Sequence, residues 1–154
     1  MIQHCLLKIE EILNRKIFQP NRKYLNKYRK KNVLITGGAG SIGSEICRQI
    51  TKFSPKLLVA IDQSEFNLYE LEKEIQSKYP KLVFAPLIAD IRDEERIDTI
   101  IQKYKPQTII HAAAYKHVPI MESNYYESIR TNVRGTQILA NLAQKNNVEK
   151  FIMV

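Results

Sequence analysis

Cysteine is nearly absent: Cys5 and Cys47 lie far apart and form no CxxC pair. The expectation is a reduced, cytosolic protein in which Cys47 serves only to pack a helix. No apolar run approaches the length of a membrane span, and the N-terminus has no signal-peptide core, so nothing in the sequence itself inserts or exports the chain. There are no internal repeats and no low-complexity tracts, which excludes solenoids and linker proteins. Glycine is scarce too, with five in 154 residues, and four of them crowd between Gly37 and Gly43. The rest is an ordinary soluble composition, 44% hydrophobic and 26% charged, in a length that makes one domain with a core.

Acidic residues are missing from one region only. The first 32 residues carry nine basic side chains against Glu10 and Glu11, whereas the remainder carries fifteen basic and fourteen acidic ones. The net charge of +8 therefore belongs to an N-terminal segment. Such a segment can touch nucleic acid or an anionic membrane surface, or be a solvated linker. No nucleic-acid-binding motif accompanies it, so nucleic acid is not an expected partner. Leu6, Ile9, Ile12, Leu13 and Ile17 have helical spacing, and Pro20-Asn21 ends that pattern. Residues 1–31 thus read as a basic helix and linker, packed loosely or not at all, and 32–154 as the folded domain.

Within the domain, short apolar strands at 33–36, 57–62, 82–88, 108–111 and 151–154 alternate with helical patterns at 41–53, 65–79, 93–105 and 125–147. Pro86 suggests that pairing of the third strand breaks off late. Strict alternation predicts an α/β fold, a Rossmann-type doubly wound parallel sheet of order 3-2-1-4-5, with the sequence stopping at the fifth strand. Glu94, Glu95 and Asp98 alternate with Arg92 and Arg96 and read as a solvated helix face with local ion pairs.

The first strand runs into Gly38-Ala39-Gly40-Ser41-Ile42-Gly43 and then a helical pattern. Glycines there allow a tight reversal and let a pyrophosphate approach without meeting a Cβ. The following helix offers free N–H groups and its positive dipole end. Asp62 stands nineteen residues beyond Gly43, at the end of the second strand, where a carboxylate takes ribose hydroxyls. Gln63 and Ser64 follow it with no arginine, so a 2′-phosphate would meet a carboxylate and no cation. NAD is expected over NADP, with Arg92 and Lys103 the cations within sequence reach. His111 and His117 have no third partner at metal-ligand spacing, so no metal is expected.

A second register, Thr36-Gly37-Gly38-Ala39-Gly40-Ser41-Ile42-Gly43, is joined by Ala89-Asp90-Ile91, by His111-Ala112-Ala113-Ala114 and by Thr131-Asn132-Val133-Arg134-Gly135-Thr136. Together these resemble the extended short-chain dehydrogenase/reductase superfamily. The resemblance implies that Asp90 and Ile91 meet the adenine, that Ala112, Ala113 and Ala114 lie along the cofactor, and that Asn132 steadies the active-site geometry. Ser41-Ile42-Gly43-Ser44-Glu45, Asp62 to Glu70, and His111 to Pro119 are similar to the CapD-like nucleotide-sugar 4,6-dehydratases of bacterial polysaccharide biosynthesis. Ile9 to Arg15 looks like the connector before the catalytic domain in that branch.

That resemblance implies a redox-neutral lyase acting on a UDP-N-acetyl-hexosamine. Bound NAD(P)+ takes a hydride from sugar C4, water leaves across C5–C6, and the hydride returns to C6. Lys116 and His117 would help to hold the UDP-sugar, or are simply loop residues. The resemblance also implies a homo-oligomer, cytoplasmic or at the inner face of the bacterial membrane, with membrane association through an upstream part. In the family the fifth strand leads into a Ser/Thr–Asp–Lys segment and a Tyr- or Met-x-x-x-Lys helix. Here the sequence ends at Met153-Val154, and Tyr125 and Tyr126 have Ile129 and Arg130, not lysine, four residues on. The expectation is a cofactor-holding half with no catalytic residue of its own. The alternative is an NAD-binding module that performs no chemistry.

Overall fold

The computed structural model describes residues 27–154. At its centre is β1 (Asn32–Thr36), flanked by β2 (Leu57–Asp62) on one side and β4 (Thr108–His111) on the other. β3 (Phe84–Ile88) and β5 (Lys150–Met153) form the edges, and every pairing is parallel. The order β3-β2-β1-β4-β5 is the one expected. Parallel neighbours need crossover helices, and these lie on both faces.

Alternation along β1 divides the core. Val33 and Ile35 point to one face, where they meet Cys47 and Ile50 of α1 (Ser41–Thr51) and Leu68, Leu71 and Ile75 of α2 (Glu65–Lys78). Leu34 points to the other face, against Ile97, Ile100 and Ile101 of α3 (Glu94–Tyr104) and Leu139 and Leu142 of α6 (Thr136–Lys145). Burying a side chain of this size contributes about 1.5–3 kcal/mol. Ser64 caps α2 by accepting from the Asn67 N–H, and Asp93 caps α3 by accepting from the Arg96 N–H.

Four details depart from the sequence reading. β3 begins at Phe84 and stays paired to Ile88, with Pro86 opposite Ala60. An edge strand admits proline because the absent donor need remove no ladder bond. The helix expected over 125–147 is three segments in one run: α5 (Tyr125–Ser128), a π turn (Ile129–Gly135) and α6. A short α4 (Val118–Glu122), with Pro119 in its first turn, precedes them. Residues 27–31 also join the domain instead of lying loose. Tyr28 stacks on Phe53 at 6.0 Å, the Lys30 N–H donates to the Ser54 carbonyl, and Lys31 Nζ meets Glu149 at 2.6 Å. The expected amphipathic helix near Leu6–Ile17 and Cys5 lie outside the described residues. Among the described residues no helix is long and apolar enough to cross a membrane.

Candidate cofactor-binding site

Above the C-terminal ends of β1, β2 and β4 lies a cleft of about 270 Å³, at the point where the chain crosses from one side of β1 to the other. Its floor is the turn between β1 and α1. Gly37 has φ +64°, and a Cβ there would sit 2.7 Å from the Ala112 carbonyl carbon and oxygen. The turn therefore presses main chain to main chain on the loop after β4. A Cβ on Gly43 would overlap the Gly37 carbonyl oxygen, so the first turn of α1 can close only on glycine. No side chain caps α1 at Gly40, which leaves its first N–H groups facing outward.

Asp62 forms the far wall. Its Oδ2 accepts from the Ala39 N–H and its Oδ1 from the Ser64 N–H, both at 3.0 Å. The carboxylate is thereby aimed, and it keeps further lone pairs for hydroxyl donors. Of the residues singled out from the sequence, Gly37, Gly40, Asp62, Ile91, Ala112, Ala113 and Ala114 line the cleft. Gly38 and Gly43 are buried inside the turn, while Ser41 and Ile42 are exposed on the first turn of α1.

Asp90 lies beside the cleft, locked to a neighbour. Arg92 Nε reaches both Asp90 oxygens at 3.0 and 2.8 Å, Arg92 Nη2 reaches Oδ2 at 2.6 Å, and the Arg92 N–H adds 2.9 Å to Oδ1. Burial would raise the Asp90 carboxyl, but the hydrogen bonds and charge of Arg92 outweigh it and hold the carboxyl below its ordinary value. Arg92 Nη1 donates to Glu127 on α5. Arg92 is thus drawn off the solvated α3 face expected for it and ties the loop after β3 to α5. Asp98 keeps a bond from Gln102 of its own helix and also pairs across to Lys145 Nζ at 2.7 Å. Lys103 lies over the Tyr104 ring in the last turn of α3, away from the cleft.

Asn132 grips the loop after β4 through both amide atoms. Its Oδ1 accepts from the Tyr115 N–H at 2.8 Å, and its Nδ2 donates to the Tyr115 carbonyl at 2.9 Å. Tyr115 in turn lines the cleft. Lys116 and His117 are exposed at the start of α4 and do not line it. His111 is buried between Thr36 and Thr136, and no group of three potential metal ligands occurs among the described residues. Cys47 is fully buried with Sγ 3.6 Å from the Gly38 carbonyl, and burial pushes its thiol up to about 12.

Several cleft residues, Ile61, Gln63, Ala89, Tyr115 and Thr131 among them, are not singled out as site residues from the sequence. Thr131 is 5% exposed, lines the cleft, and its hydroxyl has no hydrogen-bond partner. A buried hydroxyl without a partner is costly, and this oxygen is sealed from solvent although its residue lines the cleft. Its only sequence signal is its place beside Asn132.

A parallel sheet of this order, with a glycine turn after its first strand and a carboxylate closing its second, defines a Rossmann-type dinucleotide-binding domain. The chain belongs to the polysaccharide biosynthesis protein family, which matches residues 33–154. It is similar to the capsular polysaccharide biosynthesis protein CapD of Staphylococcus aureus, 37% identical over 150 residues, covering 96% of this chain and 25% of CapD. It is also similar to a UDP-N-acetylglucosamine 4,6-dehydratase (inverting) of Campylobacter jejuni, 33% identical over 126 residues, covering 81% of this chain and 36% of that one. Among solved structures it resembles the Bordetella bronchiseptica enzyme WbmH in complex with NAD+, with TM-score 0.63 and 30% identity, covering 80% of this chain and 38% of WbmH. The chain spans about a quarter to a third of the length of these curated relatives.

Proposed function

We propose that this chain supplies the NAD-holding part of a nucleotide-sugar 4,6-dehydratase that acts on a UDP-N-acetyl-hexosamine in surface polysaccharide synthesis. The observation that carries the reading is the convergence, in one cleft, of the α1 N-terminus without a side-chain cap, the aimed Asp62 carboxylate and the short side chains of Ala112, Ala113 and Ala114. The dehydratase name of the Campylobacter relative and the NAD+ held by WbmH support it.

The residues fit such a cofactor. N–H groups of Ser41, Ile42 and Gly43 receive a pyrophosphate, helped by the helix dipole. Asp62 accepts from the two ribose hydroxyls and repels a 2′-phosphate. Arg92 is already committed to Asp90 and Glu127, so it offers that phosphate no relief. Ile91 gives an apolar surface for the adenine and Asp90 an acceptor at its edge. Ala112, Ala113 and Ala114 have side chains too short to obstruct a ligand along the loop. When bound, the nicotinamide supplies the reversible hydride transfer that a redox-neutral dehydration needs. Asn132 keeps Tyr115 at the cleft wall, and Lys116 and His117, exposed on the loop beyond it, would help to hold the UDP-sugar. A homo-oligomer working at the inner face of the membrane accompanies this reading.

Fluorescence titration with NADH and NADPH tests it. Saturable NADH binding, tighter than NADPH, is expected. Equal or tighter binding of NADPH would exclude the cofactor assignment, and no binding of either would exclude the whole reading.

A further inference from the structure

His111 closes β4 only 3% exposed, with a hydroxyl on each side of its ring. Its Nδ1 lies 2.7 Å from Thr36 Oγ1 and its Nε2 lies 2.8 Å from Thr136 Oγ1. The proton positions follow from counting. The Thr136 hydroxyl has one hydrogen, and it is donated to the Asn132 carbonyl at 2.7 Å. Toward His111 that hydroxyl can only accept, so Nε2 carries the ring proton. Nδ1 is then bare and accepts from Thr36, which is fully buried. The chain of donors runs Thr36 to His111 to Thr136 to the Asn132 carbonyl. It starts one residue before Gly37 and ends inside the π turn.

That turn carries three contacts to the cleft wall. The Asn132 amide grips Tyr115, Thr131 lines the cleft, and Gly135 packs so tightly that an added Cβ would come within 2.7 Å of Ile91 Cδ1. An α-helix in its place would shift the register of all three. An apolar residue at 111 would fill the space but leave the buried Thr36 hydroxyl without its acceptor.

We propose that His111, held as the neutral tautomer with its proton on Nε2, is a positioning residue that fixes the π turn against the end of β1 and so sets the wall of the cofactor cleft. The cofactor part of this inference rests on the NAD reading above; the tautomer and the wall do not.

The test uses the 154-residue chain in three measurements. A long-range proton–nitrogen NMR spectrum, with His111 assigned by its loss in H111Q, should show a protonated Nε2 and a bare Nδ1. Amide exchange at Tyr115 should speed up in H111F and return toward the original rate in H111Q, whose side-chain amide replaces the Nε2–H donor. NADH affinity should fall about tenfold in H111F and in T136V, and recover to within about threefold in H111Q. A proton found on Nδ1 would overturn the proposal, as would an H111F chain with unchanged Tyr115 exchange. If the unaltered chain fails to bind NADH, the cofactor reading falls, and the spectrum and the Tyr115 exchange decide the role of His111 without it.

Discussion

At Asp62 two backbone donors hold the carboxylate from opposite sides, so its side chain is oriented before any ligand arrives. Replacing it with alanine removes one or two charge-assisted hydrogen bonds, each worth ~1.5–3 kcal/mol. NADH affinity should drop tenfold or more and the preference over NADPH should vanish, as paired titrations of D62A would show. His111 sets a different expectation. Burial lowers its pKa in the folded protein below the ordinary value of 6.5, so the unfolded chain takes up a proton first as pH falls. Its contribution to stability is whole above about pH 6.5 and declines as pH falls below that. Urea denaturation at pH 7.5, 6.5 and 5.5 should show this loss, and H111Q should flatten it. Asp62 and the glycine turn were legible in the sequence because their geometry is local. Arg92 and Thr131 were not: Arg92 finds Glu127 thirty-five residues away, and Thr131 owes its setting to a π turn.

Among the elements, the π turn is the one that pattern cannot reveal. Apolar spacing from Tyr125 onward predicts a helix, and a helix is present, but a period of 3.6 does not betray one wider turn within it. β3 gave the opposite lesson. Pro86 suggested a late break in pairing, but the edge position absorbs it without loss of register. Gly135 offers a test of how closely the π turn is fitted. In G135A the new methyl meets the Ile91 side chain, and overpacking of this kind costs about 1–3 kcal/mol. The midpoint of urea unfolding should fall and NADH binding should weaken, because Ile91 lines the cleft. Unchanged stability and binding would mean that the contact yields freely.

For the whole molecule, strand order was readable because alternation and handedness leave few topologies. Surface chemistry is less settled by pattern. Ile129, Val133, Tyr125 and Tyr126 are all more than half exposed along one run, as are Met153 and Val154 at the β5 edge. Exposed apolar surface and an unpaired strand edge both promote association. Sedimentation velocity should show the chain self-associating as concentration rises, and I129E or M153K should reduce it. A strictly monomeric chain at all concentrations would count against any role for these faces.

The main-chain contact between Gly37 and Ala112 has a kinetic consequence. It joins the two sides of the crevice at their base, and the Arg92 bridge from Asp90 to Glu127 joins them again at the flank. With its sides linked at base and flank, the crevice is expected to admit a nucleotide without a prior opening step. Stopped-flow traces with NADH should therefore be single exponentials whose rate rises linearly with concentration, whereas a plateau would reveal a gate.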